Sequence, residues 1–439
     1  MVLAVFLLAA SISYDAPTDR KPRPKPPLPA LQGANTVIKD PTFGNRILRV
    51  TDNHTFPAYP DGVCTTAAAS LQNTWNADST RFTVICSSVV FPFEFDPKTF
   101  RVKRMGSRSN RQGGLYLDLK ASPAFSFTDP DLIYGIGAGM DGDNTNKLLE
   151  YNFRTKKYRT LVDLEKLVPN YEGGAGAVTV AANERISVIF GGMQDTYRYV
   201  LFFDKQTGSK RILDTRAAAI DGKPAGFSMN WGIHLANIDK SGRYIIISKG
   251  EGGRQPNLVV WDTETDKFAE VAPKGTGHYS TGYGMLVNGN GWWPSWAMWL
   301  LRPLDPDRIG TFEKLIDPML GEDYGGREEH SSWNNARPDA AAPVLVSIAR
   351  HADAKNPLQP WDDEIVAIST DPKRPTVWRF AHHRSRYNGY FWDDPRGNVS
   401  PDGRYFLFTS NWENTLGTSP DNRPRQDVFL LELPLAGAP

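Results

Sequence analysis

Residues 400–412, SPDGRYFLFTSNW, place a polar turn directly before a strand of aromatic and aliphatic side chains. The same order of turn and strand occurs six more times upstream, with turns at Asp78, Asp131, Asn183, Ser241, Asn290 and Asp339. From Asp78 to Asp402 the successive intervals are 53, 52, 58, 49, 49 and 63 residues. A regular period of this length indicates an array of similar structural units.

A second pattern follows each of these strands: an apolar strand, a polar turn and another strand. Clear cases are FPFEFDPKTFRVKRM at 91–105, YVLFFDKQTGSKRIL at 199–213 and NLVVWDTETDKFAEV at 257–271. Each unit then holds four short strands, which is one propeller blade. The predicted fold class is all-β, a seven-bladed β-propeller over residues 40–435; an eight-bladed ring and a pair of β-sandwiches are the alternatives.

The two ends of the repeat region complement each other. The last unit is one strand short, and RILRVTD at 46–52 has no local partner strand. Pairing this N-terminal strand into the last blade would close the ring and remove both free sheet edges. We therefore predict closure by residues 46–52.

Composition restricts the partners. Lys plus Arg total 50 and Asp plus Glu total 49, giving a formal charge of +1. This balance argues against whole-chain binding to nucleic acid or to an anionic membrane surface. Cys64 and Cys86 are the two cysteines, and their spacing leaves open whether they form a disulfide.

The N-terminal part resembles an export signal followed by a spacer. VLAVFLLAA at 2–10 is apolar but too short to span a bilayer, which predicts a signal peptide over 1–13. Residues 14–39, the Pro-rich segment, are predicted to be an extended, mobile linker. We expect a secreted or periplasmic protein without a membrane span, and a monomer.

The last blade carries a resemblance to known families. SPDGRYFLFTSNW resembles the blade signature of TolB-type propellers and is similar to the final blade of oligogalacturonate lyases. The lyase resemblance implies a seven-bladed secreted or periplasmic enzyme with a His-x-His pair just before this turn, which helps to hold a divalent metal. In this sequence the two positions are Asp394 and Arg396, so the resemblance does not extend to that pair.

Histidines gather in one part of the repeat. His234, His278, His330 and the adjacent His382 and His383 are predicted to lie in loops just ahead of the inner strands of blades four to seven. Such loops converge on the mouth of the central channel. A single histidine there is more often a hydrogen-bonding structural residue than a functional one, and the cluster is the stronger signal.

Arginine and aromatic side chains accompany these histidines. His330 or His278 is the candidate base and Tyr283 the candidate acid. The candidate substrate-binding residues are His234, Arg327, Arg384, Arg386, Arg396, Trp392 and Trp333. Guanidinium groups bind carboxylates, and aromatic rings can stack on sugars, so the set suits an anionic sugar.

These observations favour a lyase that cleaves an anionic, uronate-containing poly- or oligosaccharide by β-elimination. The alternative is a non-catalytic TolB-like propeller that binds a protein or a cell-wall glycan. A glycoside hydrolase ranks third, because no separable carboxylate pair is evident. A divalent metal held by His330 with Glu328 or Glu329, and by His382 or His383, is a further possibility.

Overall fold

The protein is described by a computed structural model. It covers residues 12–56, 62–67, 69–87, 89–106, 113–118, 122–139, 144–250, 258–271, 275–290, 298–316, 327–339 and 341–437. The predicted signal peptide falls almost entirely outside these described residues.

Strands within the described residues form seven antiparallel sheets, the blades of a propeller. Blade one contains β3 (Cys64–Thr65), β4 (Arg81–Cys86), β5 (Val89–Asp96) and β6 (Arg101–Arg104). Blade two contains β7 (Ala124–Phe125), β8 (Leu132–Ala138), β9 (Asn144–Asn152) and β10 (Lys157–Asp163), followed by the helix α1 (Leu164–Leu167). Blade three contains β11 (Gly174–Val180), β12 (Arg185–Gly192), β13 (Tyr199–Asp204) and β14 (Lys210–Asp214), with a small hairpin of β15 (Ala219–Ile220) and β16 (Lys223–Pro224).

The second half of the ring repeats the arrangement. Blade four contains β17 (Ile233–Ile238), β18 (Tyr244–Lys249), β19 (Leu258–Asp262) and β20 (Phe268–Glu270). Blade five contains β21 (Gly275–Thr281), β22 (Met285–Asn290), β23 (Met298–Pro303) and β24 (Glu313–Lys314). Blade six contains β25 (Arg327–Ser332), β26 (Val344–Arg350), β27 (Glu364–Ile368) and β28 (Val377–His382). Blade seven contains β29 (Gly397–Val399), β30 (Tyr405–Ser410) and β31 (Asp427–Glu432), with β2 (Arg46–Arg49) and β1 (Val37–Lys39) from the N-terminal side.

Closure of the ring follows the prediction. The order in blade seven is β29-β30-β31-β2-β1, and Leu48 of β2 lies opposite Leu430 of β31. Leu48 and Leu430 also belong to one buried cluster with Trp75 and Phe93 of the blade-one region. The indole N–H of Trp75 donates to the carbonyl of Asn398 at 3.2 Å, which joins the first blade to the last. The seven-bladed, all-β prediction is confirmed.

The register within a blade differs from the prediction by one strand. The strand after each polar turn is the second of its blade, as β30 is after the turn at 400–403, and the first strand precedes the turn. First strands of successive blades contact each other, β21 with β25 and β25 with β29, so they form the channel wall. In blade five the turn lies at 282–284, where Gly284 has a φ of +66°. Asn290 is the last residue of β22, and the predicted turn there was wrong.

The Pro-rich segment is not the mobile spacer that its composition predicts. Tyr14 is 4% exposed and packs edge-on against Phe380 at a ring-centroid distance of 5.0 Å. Arg379 Nη1 donates to Asp19 at 2.8 Å, and Arg384 Nη1 donates to the carbonyl of Pro26 at 2.8 Å. The segment therefore lies along blades six and seven and is held there by side chains.

Two further features concern covalent structure and membranes. Cys64 and Cys86 lie opposite each other on β3 and β4 and form a disulfide. Among the described residues, the structure has no helix of the length and hydrophobicity needed to cross a membrane.

Candidate functional site

Three of the predicted histidines lie on the first strands of neighbouring blades: His234 on β17, His278 on β21 and His330 on β25. They belong to the channel wall itself, whereas the sequence placed them in loops ahead of it. The rings of His278 and His330, the histidine pair, have centroids 4.3 Å apart. His234 instead contacts Asp195 of the β12–β13 loop, with Nδ1 2.5 Å from Oδ1.

Each ring of the histidine pair contacts a carboxylate. His278 Nδ1 lies 3.0 Å from Glu328 Oε1, and His330 Nε2 lies 2.6 Å from Asp394 Oδ2. Glu328 and His330 are two positions apart on β25, so their side chains point to the same side of the strand. Asp394 directly follows the 3-10 turn Phe391–Asp393, which leads from blade six into β29. The site is therefore assembled from blades five, six and seven.

The surroundings give the two imidazoles different charges. Burial is the main influence on His330 and lowers its pKa, although the Asp394 carboxylate opposes this effect. Burial also disfavours a charged His278, but Glu328, Glu329 and Asp394 outweigh it and raise the pKa of His278 to about 9. At neutral pH His330 is therefore a neutral base and His278 is a cation.

Arg396 completes the channel cluster, which we define as His278, Glu328, His330, Asp394 and Arg396. Its side chain is fully buried, and its Cζ lies 4.2 Å from the ring centroid of Phe391 and 4.6 Å from that of Trp392. Burial lowers the pKa of Arg396 to about 10, with Asp394 acting in the opposite direction, so the guanidinium stays charged at neutral pH. Phe391, which the sequence analysis missed, is 47% exposed and presents an aromatic face beside this cation.

Glu329 lies between the two inward-pointing residues of β25 and is 2% exposed. Its Oε1 has no hydrogen-bond partner within the described part of the chain. Burial raises the pKa of Glu329 to about 8, so the carboxyl group is protonated at neutral pH. Its negative charge therefore develops only above about pH 8, where it adds to the charges that keep His278 protonated up to about pH 9.

The same residues fit a divalent metal. His278, Glu328 and His330 each offer one ligand atom, and these atoms lie within 4.8 Å of one another. Imidazole and carboxylate donors together suit first-row divalent cations such as zinc. A metal bound by these three residues would supply a positive charge that neutralises a substrate carboxylate.

His382 and His383 do not join the channel cluster. His382 ends β28, the last strand of blade six, and its Nε2 lies 3.3 Å from the carbonyl of Arg23. The backbone N–H of Ser385 donates to His383 Nδ1, so His383 Nε2 carries the proton and donates to the carbonyl of Ile348. Burial lowers the pKa of His383 to about 4. Their proposed part in a metal site was wrong, because both rings are engaged elsewhere in blade six.

Other candidates from the sequence lie apart from the channel cluster. Arg327 forms a buried, two-pronged ion pair with Asp362, with both bonds at 2.7 Å. Trp333 is 1% exposed and packs in the core of blades five and six. Tyr283 lies in the turn after β21, five residues beyond His278, which is in the middle of that strand. Two candidates approach the Pro-rich segment instead, namely Arg384, which is buried, and Arg386, which is exposed.

Tyr387, in the connection from blade six to blade seven, is a tyrosine that the sequence analysis did not single out as an acid. Its ring meets that of His351 edge-on at a centroid distance of 5.3 Å. Burial is the main cause of its raised pKa, and the carboxylates of Glu328 and Asp394 raise it further. The phenol thus keeps its proton at neutral pH.

Comparisons with known proteins agree with this fold. No protein-family model matches the chain, and no curated protein is similar to it in sequence. An oligogalacturonate lyase structure from Vibrio parahaemolyticus aligns with a TM-score of 0.55 and 11% identity, over 92% of this chain and 98% of that one. TolB from Acinetobacter baumannii aligns with a TM-score of 0.33 and 11% identity, over 62% of this chain and 61% of that one. The likeness to the Vibrio structure is one of fold, that of a β-propeller.

Proposed function

We propose that the protein is a lyase that cleaves an anionic, uronate-containing poly- or oligosaccharide by β-elimination. The observation that carries the proposal is the neutral His330, held 2.6 Å from Asp394, beside the cationic His278 and Arg396 in one channel. This arrangement pairs a base with positive charges. Elimination from a uronate requires that combination.

Different side chains of the site are suited to the different steps of the elimination. A base removes the proton from the carbon that bears the carboxylate, the electron pair forms a carbon–carbon double bond, and the glycosidic C–O bond breaks. His330 is suited to the first step, because it is neutral at neutral pH and Asp394 orients its ring. Tyr387, whose phenol stays protonated, is suited to give a proton to the departing oxygen.

The acidity of that carbon depends on the neighbouring carboxylate. While the carboxylate carries its full negative charge, removal of the proton would build up a second negative charge beside it. His278 and Arg396 offset this charge inside a channel where electrostatic interactions are stronger than in water. Phe391 and Trp392 flank Arg396 and offer aromatic faces to the apolar side of a sugar ring.

Location outside the cytoplasm, secreted or periplasmic, is part of the proposal. The disulfide between Cys64 and Cys86 supports it, because disulfides persist in oxidising compartments. The apolar stretch at residues 2–10 is consistent with export and lies outside the described residues.

Activity on a panel of polyuronides tests the function. Elimination creates an unsaturated product, and its ultraviolet absorbance reports turnover directly. We expect His330→Gln to lower kcat/KM by about 100-fold or more, the usual contribution of a general base. His54→Gln is the matched control, because His54 is an exposed residue of the turn after β2 and belongs neither to the channel cluster nor to its neighbours named above. Melting curves of both variants show whether the fold is retained.

A chelator distinguishes the base from a metal ligand. The two roles exclude each other at His330, because a ring nitrogen that binds a metal cannot accept a proton. We expect turnover to survive exhaustive chelation and to be unchanged by added zinc or manganese. Loss of turnover on chelation, restored by metal, would keep the lyase and overturn the assignment of His330 as the base.

The second candidate is a non-catalytic propeller that binds a glycan or a protein. It is favoured by Asp394 and Arg396 standing where the oligogalacturonate-lyase resemblance implies two histidines. Retained binding of polyuronides without any unsaturated product would support this candidate against the lyase.

A further inference from the structure

A cavity of about 440 Å³ lies outside the channel, between the Pro-rich segment and blades six and seven. Arg23 and Lys25 line it from the Pro-rich segment, Arg350 from the end of β26, and Arg386 and Tyr387 from the connection to blade seven. This volume falls in the range of small-molecule sites. Nothing in the channel chemistry uses these groups, apart from Tyr387.

The carboxylates of the cavity already have cationic partners. Asp362 is bound by the buried Arg327, and Asp363 by Lys25 at 3.0 Å. Glu413 also lines the cavity and is bound by Arg384 at 3.1 Å. Of the two remaining guanidinium groups, that of Arg350 shares Asp362 with Arg327, its Nε lying 3.6 Å from Oδ2, and that of Arg386 is paired with none of these carboxylates.

These two guanidinium groups are only partly engaged. Arg350 Nη2 donates to two backbone carbonyls at 2.6 and 2.7 Å, while its buried Nε has no hydrogen-bond partner within the described residues. Arg386 is exposed, and its side chain forms no ion pair in the described part of the chain. A forked guanidinium with free N–H groups is the usual protein partner of a carboxylate.

The cavity adjoins the channel cluster. Tyr387 lines the cavity, and the carboxylates of Glu328 and Asp394 help to raise the pKa of its phenol. Ser385 also lines the cavity, and its hydroxyl donates to the carbonyl of Asp393, the residue before Asp394, at 2.5 Å. A chain of sugar units that has one unit at His330 could therefore continue into the cavity.

We infer that this cavity is a second carboxylate subsite, which binds a further uronate unit of the same substrate chain through Arg386 and Arg350. The inference rests on the proposed function for the identity of the ligand. It predicts that the protein prefers a trimer or longer oligomer, because a dimer placed across the cleavage point does not reach the cavity.

Binding can be measured without turnover by calorimetry in the His330→Gln background, with digalacturonate and trigalacturonate as ligands. We expect Arg386→Ala to lower the ratio of trimer to dimer affinity by about tenfold, the loss of one charge-assisted contact. Arg374→Ala is the matched control, since Arg374 is an exposed arginine paired with Asp371 in the β27–β28 turn. A fully methyl-esterified trimer, which lacks carboxylates, should bind equally to both variants.

The outcomes separate the subsite from the reaction. If Arg386→Ala and Arg374→Ala bind the trimer equally, or if no variant binds it, the subsite is wrong. If the trimer is cleaved by the wild type but Arg386→Ala does not change its affinity, the subsite fails and the lyase stands. If binding depends on Arg386 but no polyuronide gives an unsaturated product, the subsite stands and the lyase fails.

Discussion

His278 and His330 carry the same side chain, yet their surroundings give them opposite charges at neutral pH. His330 is buried beside one carboxylate, and burial prevails, so its pKa is lowered. The charges of three carboxyl groups act on His278 and outweigh the effect of burial, so its pKa rises to about 9. The identity of the residues alone could not distinguish base from cation, because the deciding groups come from other strands and from another blade.

The pH profile of kcat/KM follows from this difference. His330 must be neutral, so activity is lost as pH falls through its pKa, which lies below the ordinary 6.5. His278 must be charged, so activity is lost again as pH rises through about 9. We expect a bell-shaped profile, measured with a polyuronide at constant ionic strength. A profile that keeps rising above pH 9 would contradict the role of His278.

Arg327 and Arg386, both predicted to bind substrate, should behave in opposite ways as stability mutants. Arg327→Ala leaves Asp362 charged and buried, and we expect it to lower the free energy of unfolding by about 3–5 kcal/mol. Arg386→Ala, at an exposed position, should change it by no more than about 0.5 kcal/mol. Denaturant titration of the two variants compares them directly, and equal stabilities would contradict the structural role of Arg327.

At the scale of elements, the Pro-rich segment is the clearest difference between sequence and structure. Its composition is typical of a linker, because proline favours an extended backbone and prevents regular pairing. The contacts that hold it come from Arg379 and Arg384, more than 300 residues away in the chain. No local pattern could reveal such contacts.

A test of this segment is Tyr14→Ala. Loss of a buried aromatic ring should lower the free energy of unfolding by about 3 kcal/mol. Tyr14→Phe is the control: it keeps the ring and loses only the hydrogen bond to the Gly403 carbonyl, worth about 1 kcal/mol. If Tyr14→Ala melts like the wild type, the segment is the mobile linker that the sequence predicts.

The repeats were predictable because turns and hairpins are local. The seven polar turns and the hairpins after them contain their own signals in glycine, asparagine and aspartate. The position of the innermost strand was not predictable in the same way. β3, β7 and β29 are two or three residues long, too short for any alternation of polar and apolar residues to appear. β21 (GTGHYST) and β25 (REEHSS) are longer, but they consist mainly of glycine and polar residues, so their histidines were assigned to loops.

For the whole molecule, ring closure is the property that most affects stability. Leu48 of β2 is fully buried between the first and last blades, so Leu48→Ala should lower the free energy of unfolding by about 2–5 kcal/mol. Val37→Ala on the outer strand β1 is the control, because Val37 is 41% exposed. Deleting residues 46–52 should abolish cooperative unfolding, seen by calorimetry. A deletion variant with an unchanged transition would show that β2 does not close the ring.

Closure by β2 also means that the ring cannot be completed until the end of the chain has been synthesised. Arg49 on β2 binds Asp427 on β31, and these partners are 378 residues apart in the chain. At 5–20 residues per second, a ribosome needs roughly 20 to 75 s to make the second strand after the first has emerged. Throughout that interval β2 has only β1 to pair with, and its edge toward β31 has no partner. A nascent chain of this design therefore depends on being kept from aggregating until its last strand is made.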